Sequence, residues 1–414
     1  MNRRQTISVI QRFSSASTNL SFGFSGAGFL GCYHVGVASC LYRQGLLPNP
    51  NDSSASPPFV TGVSAGSMIA AAILAGVNPD PDGMEVVLEA ARKTRELTKA
   101  HDSNVSLDVL TPGFSLVDQV ETPFRAAIIK NLGGTIPDSG QLHGENGNLY
   151  DIDPDLFKRR FPDGSLRIGL TDRRVLGPGN ILEAYRYVDS YRNVEDIVAS
   201  CMLSSYIPGG TGPLHLHDKV PGFLTGLFVT NDTSSVNEIK NTAGEHESMN
   251  DTVHRAGRRL RHMERDGLVK HGKTGLPIVP EQHKQHSDPT QAVTLNSTDF
   301  LDGGIADVFP TFDAQTIIIA PVNGVFHPNP AICPINASEE AELNIIDDQT
   351  PTSQLPPLYL QSLMRSYIPK TFKHCHKARL GLNTKNAKAA LKMVFSSEDE
   401  ELYQIFREGY DDAR

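Results

Sequence analysis

The stretch Thr61-Gly62-Val63-Ser64-Ala65-Gly66-Ser67 sets a serine in the pattern Gly-x-Ser-x-Gly, between a β-like run and an apolar helical run. Small residues on both sides let a strand reverse sharply into a helix, which leaves the hydroxyl at the crest with a helix N-terminus behind it. A hydroxyl so placed attacks an acyl carbon once a base takes its proton. The plain alternative is a Gly-rich turn in which Ser64 only caps the helix. Upstream, Gly26-Ala27-Gly28-Phe29-Leu30-Gly31 is Gly-x-Gly-x-x-Gly at a second strand-to-helix junction. Such a turn either cradles a dinucleotide pyrophosphate or offers N–H groups to an oxyanion. The dinucleotide reading expects an acidic residue about 20 positions later, yet none occurs before Asp52. Downstream, Phe300-Leu301-Asp302-Gly303-Gly304 ends an apolar run on a carboxylate and two glycines. That is a general base if it reaches the serine, and a simple turn otherwise.

A scaffold must bring these three stretches together. Leu20 to Phe24 and Pro57 to Gly62 read as strands. Phe29 to Leu46 and Met68 to Leu74 read as helices, stopped near Gly45 and at Gly76. Residues 84–98 form an amphipathic helical pattern, 166–171 and 181–188 look like strands, and Asn193 to Leu203 looks like a helix. Gln315 to Pro321 is an Ile-rich buried strand, with helical patterns at 356–367 and 398–408. Strands alternating with helices imply an α/β fold with a mainly parallel, covered sheet.

At 414 residues the chain is long enough for two or three domains of about 150 residues each. Its 39% apolar content, with 35 Gly and 27 Pro, fits better one packed body diluted by polar segments. The net charge of −9 argues against nucleic acid as the main partner, because phosphate binding needs a cationic surface. Cys32, Cys40, Cys201, Cys333 and Cys375 are odd in number and lack Cys-x-x-Cys spacing, which reads as reduced thiols in a cytosolic-type compartment. The best membrane-spanning candidate, 59–77, is broken by Thr61, Gly62, Ser64, Gly66 and Ser67, so a buried strand-turn-helix explains it better. Residues 1–17 hold Arg3, Arg4 and Arg12 among serines and no acid, the composition either of an organellar transit segment, compatible with mitochondrial import, or of a solvated tail. In 231–296, Leu, Ile, Val and Phe supply only 11 of 66 positions, a level at which burial does not offset ordering entropy. The same stretch carries Arg255, Arg258, Arg259, Arg261, Arg265, Lys270 and Lys273.

In order and spacing, the three motifs resemble the patatin-like phospholipase family, most of all its animal-type branch of adipose triglyceride lipase and adiponutrin. The likeness runs through Phe24 to Leu41, through Gly62 to Gly66 and through Asp302-Gly303-Gly304, with weaker echoes at Ser205 to Pro208, Ile332 to Pro334 and Arg407 to Ala413. It implies a three-layer α/β/α sandwich with a mainly parallel sheet. It implies Ser64 as nucleophile, Asp302 as base, no catalytic histidine, and Gly26, Ala27 and Gly28 as the oxyanion hole. It further implies hydrolysis of acyl esters in triacylglycerol or phospholipid, no metal or organic cofactor, and a cytoplasmic protein in peripheral contact with a lipid droplet or membrane. The 95 residues from Ile207 to Asp302 exceed the family's usual span. This makes 18–414 one hydrolase domain interrupted at 231–296 by a polar, disordered insertion. The insertion is either a tolerated surface loop or a mobile flap whose arginines meet anionic headgroups.

Other readings compete. His374, Cys375 and His376, or His283 and His286, invite a metal, though no second ligand pair stands at zinc-finger spacing. His374 or His376 would also complete a Ser–Asp–His triad in an α/β-hydrolase esterase, whose oxyanion loop should lie farther ahead of the serine. A lipid-binding protein with little catalysis is the third class, with Lys370, Lys373, Lys377, Arg379, Lys385, Lys388 and Lys392 as a membrane-facing set.

Overall fold

The computed structural model describes residues 20–47, 57–100, 115–136, 150–176, 181–208, 211–212, 251–278, 299–326, 328–334, 378–380 and 384–414. Strand β1 (Ser21–Phe24) lies at the heart of the sheet. It runs parallel to β2 (Phe59–Gly62) on one side and to β7 (Ile317–Ile319) on the other. All four of its residues are buried, as expected of a parallel strand covered by helices on both faces. β3 (Leu166–Asp172) extends the parallel set beside β2. Beyond it, β4 (Tyr185–Val188) and β5 (Val269–His271) continue antiparallel. β6 (Phe300–Asp302) lies antiparallel to the last residues of β3. β9 (Ala331–Ile332) closes the far side, parallel to β7. The order is β5-β4-β3-β2-β1-β7-β9, with β6 beside β3. β8 (Gly324–Phe326) and β10 (Ala378–Leu380) pair apart as an antiparallel ribbon.

Helices supply the covering layers of this α/β sandwich. They are α1 (Gly31–Arg43), α2 (Ala65–Ala75), α3 (Met84–Ala100), α4 (Leu116–Asn131), α5 (Pro154–Arg160), α6 (Val194–Ser204), α7 (Asp251–Arg265), α8 (Thr384–Val394) and α9 (Asp399–Ala413). The 59–77 run is β2, the turn and α2, as its polar residues implied. No helix among the described residues is long and apolar enough to cross a membrane. Helix α9 lies so close on α1 that a Cβ at Gly36 would stand 2.0 Å from the Phe406 carbonyl oxygen. A Cβ at Gly409 would stand 2.2 Å from that of Tyr33. Tyr33 also donates to Asp412 at 2.9 Å. The closing segment 407–413 therefore serves as the cover of the first helix.

The reading of 231–296 as one disordered insertion needs correction over 251–278. Helix α7 buries Val253, Ala256, Leu260 and Met263, spaced three to four residues apart on one face. β5 adds a strand to the sheet. The mean composition hid this amphipathic pattern. Several of its cations are internal ion-pair partners rather than flap residues: Arg255 with Glu121 at 2.7 Å, Arg259 with Asp196 at 2.6 Å, and Lys270 with Asp189 at 2.7 Å. Removing 231–296 would thus take out a packed helix and a strand. The rest of that stretch, the leader 1–17, the pattern at 356–367, and His283, His286, His374, Cys375 and His376 lie outside the described residues.

Glu121 on α4 is the keystone of the contact between α4 and α7. Burial alone would raise its pKa, but Arg125 and Arg255 outweigh burial and hold it below the usual carboxylate value. Thr252 also donates to it, at 2.7 Å. Glu121→Gln leaves the guanidinium groups poorly compensated and should cost about 3–5 kcal/mol in denaturant unfolding at neutral pH. A depressed carboxylate contributes stability above its unfolded pKa and loses it as pH falls through the folded one. The gap between wild type and variant should therefore shrink in acid.

Candidate active site

Ser64 sits between β2 and α2 with φ 53° and ψ −136°. A positive φ is strained for any residue with a Cβ, at a cost of about 1–3 kcal/mol, and persists only where neighbours enforce it. The enforcing contacts are specific. The Ser64 N–H donates at 3.0 Å to both the carbonyl oxygen and Oγ of Ser204, the last residue of α6. Ser67 Oγ donates to the Ser64 carbonyl at 2.7 Å. The flanking glycines are steric requirements. A Cβ at Gly62 would meet the Gly66 carbonyl oxygen at 2.3 Å, and one at Gly66 would meet those of Phe24 and Ser25 at 2.4 Å.

Asp302 ends β6, in register with Leu170 of β3. Its N–H donates to the Tyr206 carbonyl at 2.9 Å. Its carbonyl accepts from Thr171 Oγ1, and its Oδ1 accepts from the Gly304 N–H, each at 2.7 Å. Gly303 lies against β3, where a Cβ would stand 2.2 Å from the Gly169 carbonyl oxygen. The Ser64 side chain lies close enough to this carboxylate to favour its ionised form. Burial pushes the Asp302 carboxyl up to about 7, although the nearby Ser64 side chain and the Gly304 N–H pull it down. The structure thus joins two residues 238 positions apart in the chain.

The Gly-rich turn lies beside them. A Cβ at Gly26 would be 3.5 Å from that of Ser64, so this loop borders the nucleophile directly. Ala27 is buried, and its carbonyl accepts from the Leu30 N–H at 3.0 Å. Gly28 has φ +51°, and a Cβ there would strike the Met393 carbonyl oxygen at 2.1 Å. Helix α8 therefore braces this loop from behind. Gly26 thus borders Ser64, and Gly28 lines the same cleft as Ser64.

A cleft opens from Ser64 between α2, α3 and α4. Its walls are aliphatic and aromatic, with Met68, Ile69, Val86, Val87, Val120 and Phe124 among them. Such a cleft suits a flexible hydrocarbon chain. Ser64 stands in its lining, while Asp302 is buried behind the serine and lies outside that lining.

Sequence reasoning missed three residues that hold this arrangement. Ser204 Oγ donates to the Gly169 carbonyl at 2.6 Å while accepting from Ser64. It thereby ties α6, the elbow and β3 together. Thr171 and Tyr206 grip the backbone of Asp302. The weak echo at Ser205 to Pro208 was the available signal, since it adjoins Ser204 and contains Tyr206.

The patatin-like phospholipase family model matches residues 24–231. Ser64 and the Gly-rich turn fall inside that span, and Asp302 falls beyond it. Patatin-like phospholipase domain-containing protein 2 of Rattus norvegicus and that of Mus musculus are each 30% identical over 229 residues. The alignment takes in 54% of this chain and 37% and 36% of the two relatives. The Bos taurus protein is 24% identical over 229 residues, or 36% of its length. The alignment thus spans little more than a third of these relatives. No solved structure matches at comparable significance.

Proposed function

This chain belongs to the patatin-like phospholipase family, and from that premise we propose that it is a lipid acyl hydrolase working through a Ser64–Asp302 dyad. The observation that carries the proposal is a strained serine in an apolar cleft, set beside a buried carboxylate. Asp302 in its ionised form takes the Ser64 proton as Oγ attacks the ester carbonyl. The N–H groups of Gly26, Ala27 and Gly28 face the oxyanion of the tetrahedral intermediate. Asp302 then returns the proton to the leaving alcohol. Water, activated by the same carboxylate, releases the acyl group from Ser64. The acyl chain occupies the cleft, and the glycerol backbone of a triacylglycerol or phospholipid lies at its mouth. Product profiling with triacylglycerol and with phospholipid, beside a Ser64→Ala control, tests this. Fatty acid release from either, lost in the control, is the expected result.

Such a substrate requires contact with a lipid surface. Arg258, Arg261, His262 and Arg265 recur at helical spacing on the side of α7 turned away from the core. They form a basic strip on a chain of net charge −9. Arg255 and Arg259 of the same helix are engaged internally. We assign the strip to peripheral binding of anionic lipid. Changing Arg258, Arg261 and Arg265 together to Glu should weaken cosedimentation with phosphatidylserine vesicles at low salt by about tenfold or more. Hydrolysis of a soluble short-chain ester should stay unchanged.

A further inference from the structure

Ser205 follows α6, one residue before the Tyr206 carbonyl that holds Asp302. It lines the same cleft as Ser64 and is buried, at 6% exposure. Its backbone is fixed: the N–H donates to the Met202 carbonyl at 3.2 Å, and its own carbonyl accepts from Thr211 Oγ1. Its hydroxyl, by contrast, meets no hydrogen-bond partner among the described residues.

Among the described residues, three that carry hydroxyls line this cleft: Ser64, Ser205 and Thr211. Ser64 stands beside Asp302. Thr211 Oγ1 donates to the Ser205 carbonyl and accepts from the Ile207 N–H. Of the three, Ser205 Oγ is the one that is buried without a partner. A buried hydroxyl without a partner is costly, and native proteins keep few of them. Thr61 Oγ1 is another such atom, but it belongs to β2 and does not line the cleft.

Resting on the dyad reading above, we infer that the Ser205 hydroxyl donates a hydrogen bond to the ester oxygen that becomes anionic when Ser64 attacks. That oxygen is the strongest acceptor the reaction creates in the cleft. The Gly-rich turn would offer its donors from the β1–α1 side, and Ser205 would offer one from the end of α6. The bond strengthens as charge develops, so it acts on kcat more than on KM.

The test is Ser205→Ala, assayed on a soluble p-nitrophenyl ester with thermal unfolding alongside. The expected result is a roughly 10- to 100-fold loss of kcat with KM within about twofold. The melting temperature should be unchanged or raised, because the substitution removes a buried hydroxyl that lacks a partner. Unchanged kcat, a loss confined to KM, or a loss that tracks a lower melting temperature would each overturn the assignment. The Ser64→Ala control separates the two levels. If it stays active, the dyad reading fails. If it is inactive while Ser205→Ala equals wild type, only the role of Ser205 fails.

Discussion

Ser64→Ala should abolish ester hydrolysis, and Asp302→Asn should lower it about 10⁴-fold, both with the fold intact. In the proposed mechanism the serine supplies the attacking oxygen, and its φ of 53° is strained for a non-glycine residue. Alanine at this position keeps the elbow, because the contacts to Ser204 and Ser67 are made by the Ser64 backbone. Asparagine retains an acceptor for the Gly304 N–H, which now bonds Asp302 Oδ1 at 2.7 Å, but it takes up no proton. The two losses should not multiply in the double variant, since neither group is useful without the other. Initial rates with a short-chain ester, and circular dichroism of each variant, provide the check.

The second large effect is on pH and stability at once. A base held at about 7 by burial must be ionised to act. Hydrolysis should therefore rise with pH on an acid limb centred near 7 and flatten above it. The same shift governs stability. The folded carboxyl titrates near 7 against a reference value of 3.8, so the native state binds the proton more tightly than the unfolded chain. The penalty is absent below the unfolded pKa, grows between the two values, and is complete above the folded one. About three pH units correspond to about 4 kcal/mol. Asparagine carries no such penalty. Asp302→Asn should match wild type near pH 4 and exceed it above pH 7, by several degrees in melting temperature. Thermal scans across this range give the answer. An inactive variant that is more stable at alkaline pH would mark Asp302 as a residue kept for chemistry against stability.

The turns of the candidate site were more legible in the chain than the frame around them. Ser64, Asp302 and the 26–28 loop announce themselves because sharp turns between strand and helix require glycine at fixed offsets. The close contacts at Gly62, Gly66 and Gly303 give the reason. Helix α4 was not legible: Pro123 lies inside it, and a proline argues against a helix when no neighbours are known. Helix α7 was hidden by its arginines, which local composition assigns to solvent and tertiary structure assigns to Glu121 and Asp196. Ser204, Thr171 and Tyr206 act through hydrogen bonds to partners far along the chain, and no local pattern encodes those.

The central claim is that Ser64 becomes covalently acylated. Incubation with a fluorophosphonate, followed by peptide mass spectrometry, tests it most directly. The expected result is one adduct, on the peptide that contains Ser64, absent from Ser64→Ala and formed much more slowly in Asp302→Asn. An adduct confined to another residue, or full hydrolysis by Ser64→Ala, would contradict the account.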